Sequence, residues 1–537
     1  MMGEQTVSVI IPTHNRSASL RRALDALRVQ TYPLRQVEVV VVADGCTDET
    51  VEILHHYDAP FALRVTEQSS QGVSAARNRG ASCATGWLLI FLDDDVEPTP
   101  ALIEAHVRAH QLLPGHVAIG PYPPVPQAQI NFFHNKLRAS WEAIFHPMLQ
   151  VGHRYTYSDL LGGNLSLEAE LFARVGGFDN CFVAHEDSEL GVRLIKAGVP
   201  FTFAADALGY HHDTSDPDRS FLRKRQEGRA DVILARRHPE LIQVLPLAGF
   251  KARCSSLRRI LRILAFSCPT VGDLLAACLR RELDLVERAR LRRRWRRLLE
   301  DVQDYWYWRG VAEELGTRRA LANLGQGRQA RYDECGPKIE LDLHEGLEVA
   351  ERLLDEERPP GALICYGQQP VGFIPSKPGA ERLRGAHLRP ILATDLAVSL
   401  LQALVLEGAI TAPTAADRLK LSKSIEVQAA RARGQGPVDL GLYQYSEWQR
   451  LDGQEPERAR VFWEQQGRIK DLGHKKAWLE EQRDNWWRLA EERERMIREQ
   501  QAWIEELGRD KATLDEERQH WQRLAGEYRG KPNGQQS

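Results

Sequence analysis

Three short apolar runs, each ending at a turn or an acid and each followed by a helical pattern, constrain this chain more than any other feature. They are "VSVIIP" (7–12), "VEVVVVAD" (37–44) and "WLLIFLDDD" (87–95), with a shorter strand pattern, "ALRVTEQ" (62–68), between the last two. The run at 37–44 is apolar at nearly every position, as in a strand covered on both faces. Between the strands, "SASLRRALDALRVQ" (17–30) carries a helical stripe at Leu20, Ala23, Leu24 and Leu27, with Ser17 placed as its N-cap. "TDETVEILHHY" and "GVSAARNRGASCA" read as the next two helices. Strands alternating with helices predict an α/β fold: a mostly parallel sheet with right-handed crossovers. Ligands of such sheets bind beyond the carboxyl ends of the strands. Asp44 and the trio Asp93, Asp94 and Asp95 fall at those ends.

The trio poses an electrostatic problem. Two like charges about 4 Å apart repel by roughly 4 kcal/mol at an effective dielectric near 20. A divalent cation would relieve three carboxylates at the end of a buried strand. Mg²⁺ or Mn²⁺ prefers hard oxygen ligands and takes one or two protein carboxylates together with substrate phosphates. The Asp93-x-Asp95 spacing lets one acid meet the ligand and the other the ion.

The segments "SVIIPTHNR", "VVVVADGCTDET", "SSQGVSAARNRGASCATGWLLIFLDDD" and "LLGGNLSLEAELFARVGGFDNCFVAHEDSELGVRLIKAG" occur in that order. Together they resemble a family 2 glycosyltransferase with the GT-A fold, over roughly residues 5–235. The resemblance implies a nucleotide-sugar donor, most often a UDP-sugar, a divalent cation (Mn²⁺ or Mg²⁺), and an inverting single displacement. It places Pro12 and His14 on the nucleobase pocket and makes Asp44 the acceptor of a hydrogen bond from the base. Ser69 stands where the family often has a base-contacting residue, and Arg77 lies near the donor diphosphate. Asp93 falls near the donor ribose and the metal, Asp95 is a metal ligand, and Asp94 shares either task. Gly162, Gly163 and Asn164 form a tight loop beside the donor or acceptor sugar. Of the pair Glu186 and Asp187, Asp187 is the general base. A histidine at residue 211 or 212 completes the metal shell. His211 directly follows the strand-like "ALGY", but adjacency leaves His211 and His212 both open. Arg223 and Arg225 on the next helix could contact diphosphate.

The remainder divides by pattern. At 537 residues the chain exceeds one core. We expect a catalytic domain over 1–240, an Arg-rich helical extension over 241–335, a small α+β domain over 336–411, a linker over 412–455 and a coiled coil over 456–530. In the small domain, "ILATDLAVSLLQALVLEG" reads as one helix. In the tail, Leu479, Trp486, Leu507, Leu514 and Trp521 share one heptad position, and Leu489, Met496, Trp503 and Leu524 another. Such a tail would join copies of the chain or recruit a partner protein. Arginines interleaved with Leu, Ile and Phe over 251–297 suit either packing on the catalytic domain or contact with an anionic membrane surface. No nucleic-acid-binding fold accompanies them, and the formal net charge of −3 gives no general pull toward nucleic acid. Eight scattered cysteines without a CxxC pattern indicate reduced thiols. With a strand almost at the N-terminus and no spanning segment, a cytoplasmic protein, peripheral at the inner membrane face, is expected.

The function expected is sugar transfer to a glycan or lipid-linked glycan in cell-surface polysaccharide synthesis. Two rivals predict differently. A nucleotidyltransferase would release pyrophosphate rather than nucleoside diphosphate, and a non-catalytic scaffold would act through the coiled coil alone.

Overall fold

The computed structural model describes residues 6–125, 131–326, 339–407 and 409. The elements up to residue 211 are β1 (Val7–Thr13), α1 (Ser17–Leu27), β2 (Val37–Asp44), α2 (Thr50–His55), β3 (Ala62–Gln68), α3 (Val73–Cys83), β4 (Leu88–Leu92), β5 (Val96–Pro98), α4 (Leu102–Leu112), β6 (Val117–Ile119), α5 (Phe132–Met148), β7 (Asn164–Glu168), α6 (Ala169–Val175), α7 (Glu186–Lys196), β8 (Phe201–Phe203) and β9 (Gly209–His211). Seven strands form one sheet in the order β3-β2-β1-β4-β7-β6-β8. The pairs β3/β2, β2/β1, β1/β4 and β6/β8 are parallel; β7 runs antiparallel to both β4 and β6. The mostly parallel sheet flanked by helices is therefore present.

Burial explains why these segments became strands. Every residue of β1, β2 and β4 is buried, as continuous apolar runs require. The edge strand β3 alternates between exposed and half-buried positions, which suits its mixed sequence. Register matters more for function. Thr13 pairs with Ala43, and Ala43 with Glu67, so three parallel strands end together. Leu92 pairs with Asn164, which sets the loop before β7 against the end of β4. The two-stranded pair β5/β9 then matches Val96 with His211, beside Asp95.

A second apolar core lies in the helices that follow: α8 (Pro217–Arg237), α9 (Ser256–Ser267), α10 (Pro269–Arg288), α11 (Arg292–Leu315) and α12 (Arg318–Gln326). It is built around Trp295, Val302, Tyr305 and Trp308 of α11, with Phe221 and Leu234 of α8 and Leu261 of α9. Helices α8 and α11 touch through their backbones. A Cβ on Gly228 would stand 2.0 Å from the Tyr307 carbonyl oxygen, and one on Gly310 would stand 1.9 Å from that of Arg225. Only glycine admits so close an approach.

The small α+β region holds β10 (Glu340–Asp342), α13 (Leu347–Glu357), β11 (Ala362–Tyr366), β12 (Gln369–Ile374), α14 (Gly385–Ala393) and α15 (Ala397–Leu406), with β10 parallel to β11. The described residues divide into two compact units: those up to 365 with 372–394, and 366–371 with 395–407 and 409. Inside the first, Arg154, between α5 and β7, donates to the carbonyls of Pro360, Pro375 and Glu381.

Two local expectations are corrected. The N-cap of α1 is Arg16 rather than Ser17, whose hydroxyl instead donates to Glu49 across the loop after β2. The segment "ILATDLAVSLLQALVLEG" is two helices, α14 ending at Ala393 and α15 beginning at Ala397, with Thr394 to Leu396 in neither. The linker over 412–455 and the coiled coil over 456–530 lie outside the described residues. Among the described residues no helix is long and apolar enough to cross a membrane.

Candidate active site

Two arginines relieve much of the charge of the three aspartates at the end of β4. Arg77 of α3 is 2% exposed and donates from Nη2 to Asp93 at 2.7 Å and from Nη1 to Glu186 at 2.8 Å. Its guanidinium lies 5.2 Å from the centre of the Phe178 ring, a cation–π contact. Burial alone would loosen its proton, but Asp93 and Glu186 outweigh that and raise its pKa. Arg16, in the loop after β1, donates to Asp94 at 3.0 Å and to Asp95 at 2.7 Å. Asp94 is buried and also accepts the Thr13 hydroxyl at 2.7 Å. Burial lifts its pKa to about 6 despite Arg16, with Asp95 and Asp93 adding to the rise.

Arg77 joins the strand-end acids to a second acidic group. Glu186 and Asp187 open α7, where the positive end of the helix dipole favours carboxylates. Burial and the neighbouring Asp187 raise the Glu186 pKa although Arg77 opposes the shift. Asp187 accepts the Gly162 amide at 3.0 Å through one oxygen and the Ser188 amide at 2.7 Å through the other. The Gly163 carbonyl in turn accepts the Asp93 amide at 3.1 Å. The glycine pair thus braces Asp187 against Asp93. A Cβ on Gly163 would come within 2.8 Å of the Tyr122 ring and 2.9 Å of an Asp93 carboxylate oxygen, so no larger residue fits.

The histidines separate clearly. His211 Nε2 lies 3.3 Å from Asp95 Oδ1, whereas His212 Nε2 lies 2.6 Å from Glu97. Burial would lower the His211 pKa, but the hydrogen bond and charge of Asp95 raise it. Among the described residues no three His, Cys, Asp or Glu side chains are arranged to hold an ion. Asp95 and His211 supply one oxygen and one nitrogen close enough to share a cation. Two protein ligands suit a hard divalent ion whose remaining positions are taken by phosphate and water.

The other predicted residues occupy several settings. Asp44 accepts the amides of Gln71 and Gly72, both at 2.8 Å, and the Gln68 side-chain amide at 2.9 Å, closing the loop between β3 and α3. His14 Nδ1 stands 2.5 Å from the Asp44 carbonyl oxygen, and exposed Ser69 accepts from the Gln71 side chain at 3.3 Å. Pro12 is buried inside β1 opposite Val42, so Thr13 and His14 are the first residues at the sheet's rim. A cavity of about 350 Å³ opens there, lined by His14, Arg16, Asp95, His212, Thr214 and Arg219 among others.

Asn164 corrects the reading that placed it against a sugar. It is fully buried, and its amide donates to the carbonyls of Pro121 and Ala207 while its oxygen faces His106 Nε2 at 2.9 Å. That oxygen can only accept, so His106 donates from Nε2 and accepts at Nδ1 from Ser166 Oγ, 2.8 Å away. His110 Nε2 then donates to the same hydroxyl at 2.8 Å. The ladder accommodates a neutral His106, and His110 reaches it through Nε2 alone. Burial lowers both pKa values to about 4.

Arg16, Thr13, Tyr122 and Arg219 were absent from the sequence expectations. Arg16 alone left a signal: a basic residue just after a strand whose end faces acids.

Residues 8–176 match the profile of glycosyl transferase family 2. The chain carries a family 2 glycosyltransferase domain. A second profile, described as the N-terminal domain of galactosyltransferase, matches residues 143–214, a stretch that contains Glu186 and Asp187. The chain is 31% identical over 270 residues to the validoxylamine A glucosyltransferase of Streptomyces hygroscopicus subsp. jinggangensis, a match covering 44% of this chain and 62% of that protein. It is 27% identical over 224 residues to the amylovoran biosynthesis glycosyltransferase AmsB of Erwinia amylovora, covering 39% and 71%. Among solved structures, the mannosyltransferase PcManGT from Pyrobaculum calidifontis, in complex with GDP-Man and Mn²⁺, overlaps 56% of this chain and 86% of its own at 21% identity and a TM-score of 0.36.

Proposed function

We propose that the chain transfers a sugar from a nucleotide-diphosphate sugar to a glycan or lipid-linked glycan by an inverting single displacement, with Asp187 as general base. The observation that carries this reading is the Arg77 bridge, which gathers Asp93 and the Glu186–Asp187 pair into one cleft. Asp187 takes the proton of the acceptor hydroxyl as that oxygen bonds to the anomeric carbon. The bond from that carbon to the diphosphate breaks with its electron pair on the departing phosphate oxygen. Backbone amides on both Asp187 oxygens fix its direction, and Arg77 and Arg16 supply positive charge near the developing one. Asp95 and His211 would hold the divalent cation, Mn²⁺ or Mg²⁺, which would neutralise the diphosphate when bound. His14, Asp44, Ser69 and the loop between β3 and α3 would receive the base, with UDP the first candidate.

The name of the Erwinia relative supports a setting in polysaccharide synthesis. We keep the sequence-based division into domains, and we assign assembly with a second copy or a partner to the C-terminal tail. Val271, Leu274 and Leu285 are exposed along one side of α10 beside exposed Arg281 and Arg288, which supports peripheral contact with an anionic membrane at the cytoplasmic face.

The test is Asp187→Asn, assayed with a panel of UDP-, GDP- and dTDP-sugars. Wild type should release nucleoside diphosphate and not pyrophosphate. The variant should bind UDP as wild type does but lose transfer by roughly 10²–10⁴-fold. Full activity in Asp187→Asn would remove the assigned base.

A further inference from the structure

We propose that Asp231 and Tyr307 position the loop carrying the general base through His185, so that the helical layer after the catalytic sheet sets the geometry of proton transfer. This inference rests on the role given to Asp187 above and adds residues that lie outside the cleft.

His185 immediately precedes Glu186 and Asp187, and its backbone is left-handed (φ 61°, ψ 22°). Side chains with a Cβ rarely adopt this region, and surrounding contacts must hold them there. The contact is visible: His185 Nδ1 lies 2.9 Å from Asp231 Oδ1 on α8. Asp231 is 1% exposed, and its other oxygen accepts the Tyr307 hydroxyl of α11 at 2.6 Å. With one partner on each oxygen the carboxylate is fixed against rotation. A buried carboxylate is costly unless paired, and here His185 leads toward the base while Tyr307 ties the carboxylate back to α11. Burial would lower the His185 pKa, but Asp231 raises it, with Glu227 and Asp187 adding to the rise. Tyr307 keeps its proton, because burial and Asp231 raise its pKa far above the usual value. It therefore serves as a donor throughout.

The far end of this relay is rigid. Tyr307 and Gly228 belong to the backbone contact between α8 and α11, so the hydroxyl is anchored to the helix that bears Asp231. The relay runs from the second core, through Tyr307 of α11 and Asp231 of α8, to His185, the residue before Glu186. The arrangement fixes the entry to α7 and thereby the carboxylate of Asp187, without any relay residue touching substrate. These are positioning residues.

The experiment uses the full chain and three variants: Tyr307→Phe, which deletes one hydroxyl; His185→Gly, which keeps the left-handed backbone accessible but cuts the tether; and Asp187→Asn as reference. UDP release from the panel sugar that wild type hydrolyses gives kcat, and calorimetry with UDP and Mn²⁺ gives affinity. Tyr307→Phe and His185→Gly should each lower kcat by roughly tenfold or more while UDP affinity stays within about twofold, a split that a collapsed cleft would not give. Unchanged kcat in both variants, or UDP affinity falling in step with kcat, would overturn the inference. Asp187→Asn separates the layers. If it is inactive while the relay variants are fully active, only the relay fails; if it is fully active, the base assignment fails and the relay with it.

Discussion

Arg77 Nη1 donates to Glu186 across 2.8 Å, although 109 positions separate the two residues in the chain. Through Arg77 of α3, which also holds Asp93 at the end of β4, the contact links the start of α7 to the strand-end acids.

Removing that guanidinium should be severe. Arg77→Met leaves Glu186, which is mostly buried, and Asp93, whose side chain is 33% exposed, without their shared partner. Water can reach Asp93, so the loss of stability should fall below the about 3–5 kcal/mol that breaking a fully buried pair from one side costs. Urea unfolding measures this directly, and a loss below about 1 kcal/mol would mean that water takes over the arginine's task. Arg77→Lys should fold better yet lose activity, since one ammonium cannot reproduce the fork that reaches both acids.

Cation dependence should track one histidine of the adjacent pair. His211→Ala and Asp95→Ala should each weaken Mn²⁺-dependent UDP binding by roughly tenfold, or about 1.4 kcal/mol. His212→Ala, whose ring pairs with Glu97, should bind within about twofold of wild type. Calorimetry with and without Mn²⁺ decides; equal losses at both histidines would dissolve the distinction.

Acid should loosen the fold through the ladder under β7. His106 and His110 have folded pKa values of about 4 against 6.5 as free side chains. Between those values the unfolded chain binds more protons, so their contribution rises with pH, is complete above about 6.5 and is lost toward pH 4. Each histidine accounts for about 3 kcal/mol over that window. His110→Phe removes one proton site. Its stability relative to wild type should improve as pH falls from 7 to 4.5, and a constant difference in urea midpoint would refute the neutral ladder.

The membrane reading has its own check. Leu274→Glu with Leu285→Glu should abolish flotation with vesicles rich in anionic lipid, and Arg281 with Arg288 should contribute about 1 kcal/mol each. Equal binding to neutral vesicles, or none by wild type, would argue against a lipid surface.

Much of this was legible because some positions carry their environment in their composition. Strands β1, β2 and β4 are buried throughout and mostly apolar, and Asp93 to Asp95 at the end of such a strand announce a site. The partners of those acids were not legible in the same way. Arg16 meets Asp94 across 78 positions, and no local pattern marks a contact made only when strands end side by side. The choice between His211 and His212 depends on how β5 and β9 pair, and strands of three residues leave no periodicity to read. The family resemblance alone places Asn164, with Gly162 and Gly163, beside a sugar. The neighbours of Asn164, namely His106, Pro121 and Ala207, come from other elements, so its burial could not be foreseen.

The apolar face shared by α8 and α11 limits how far the molecule can be trimmed. A fragment stopped at Arg237 would leave Phe221 and Leu234 facing water without Trp308 or Val302 to cover them. The shortest piece able to stay in solution should therefore run to at least Leu315, well past the last residue that either family profile recognises.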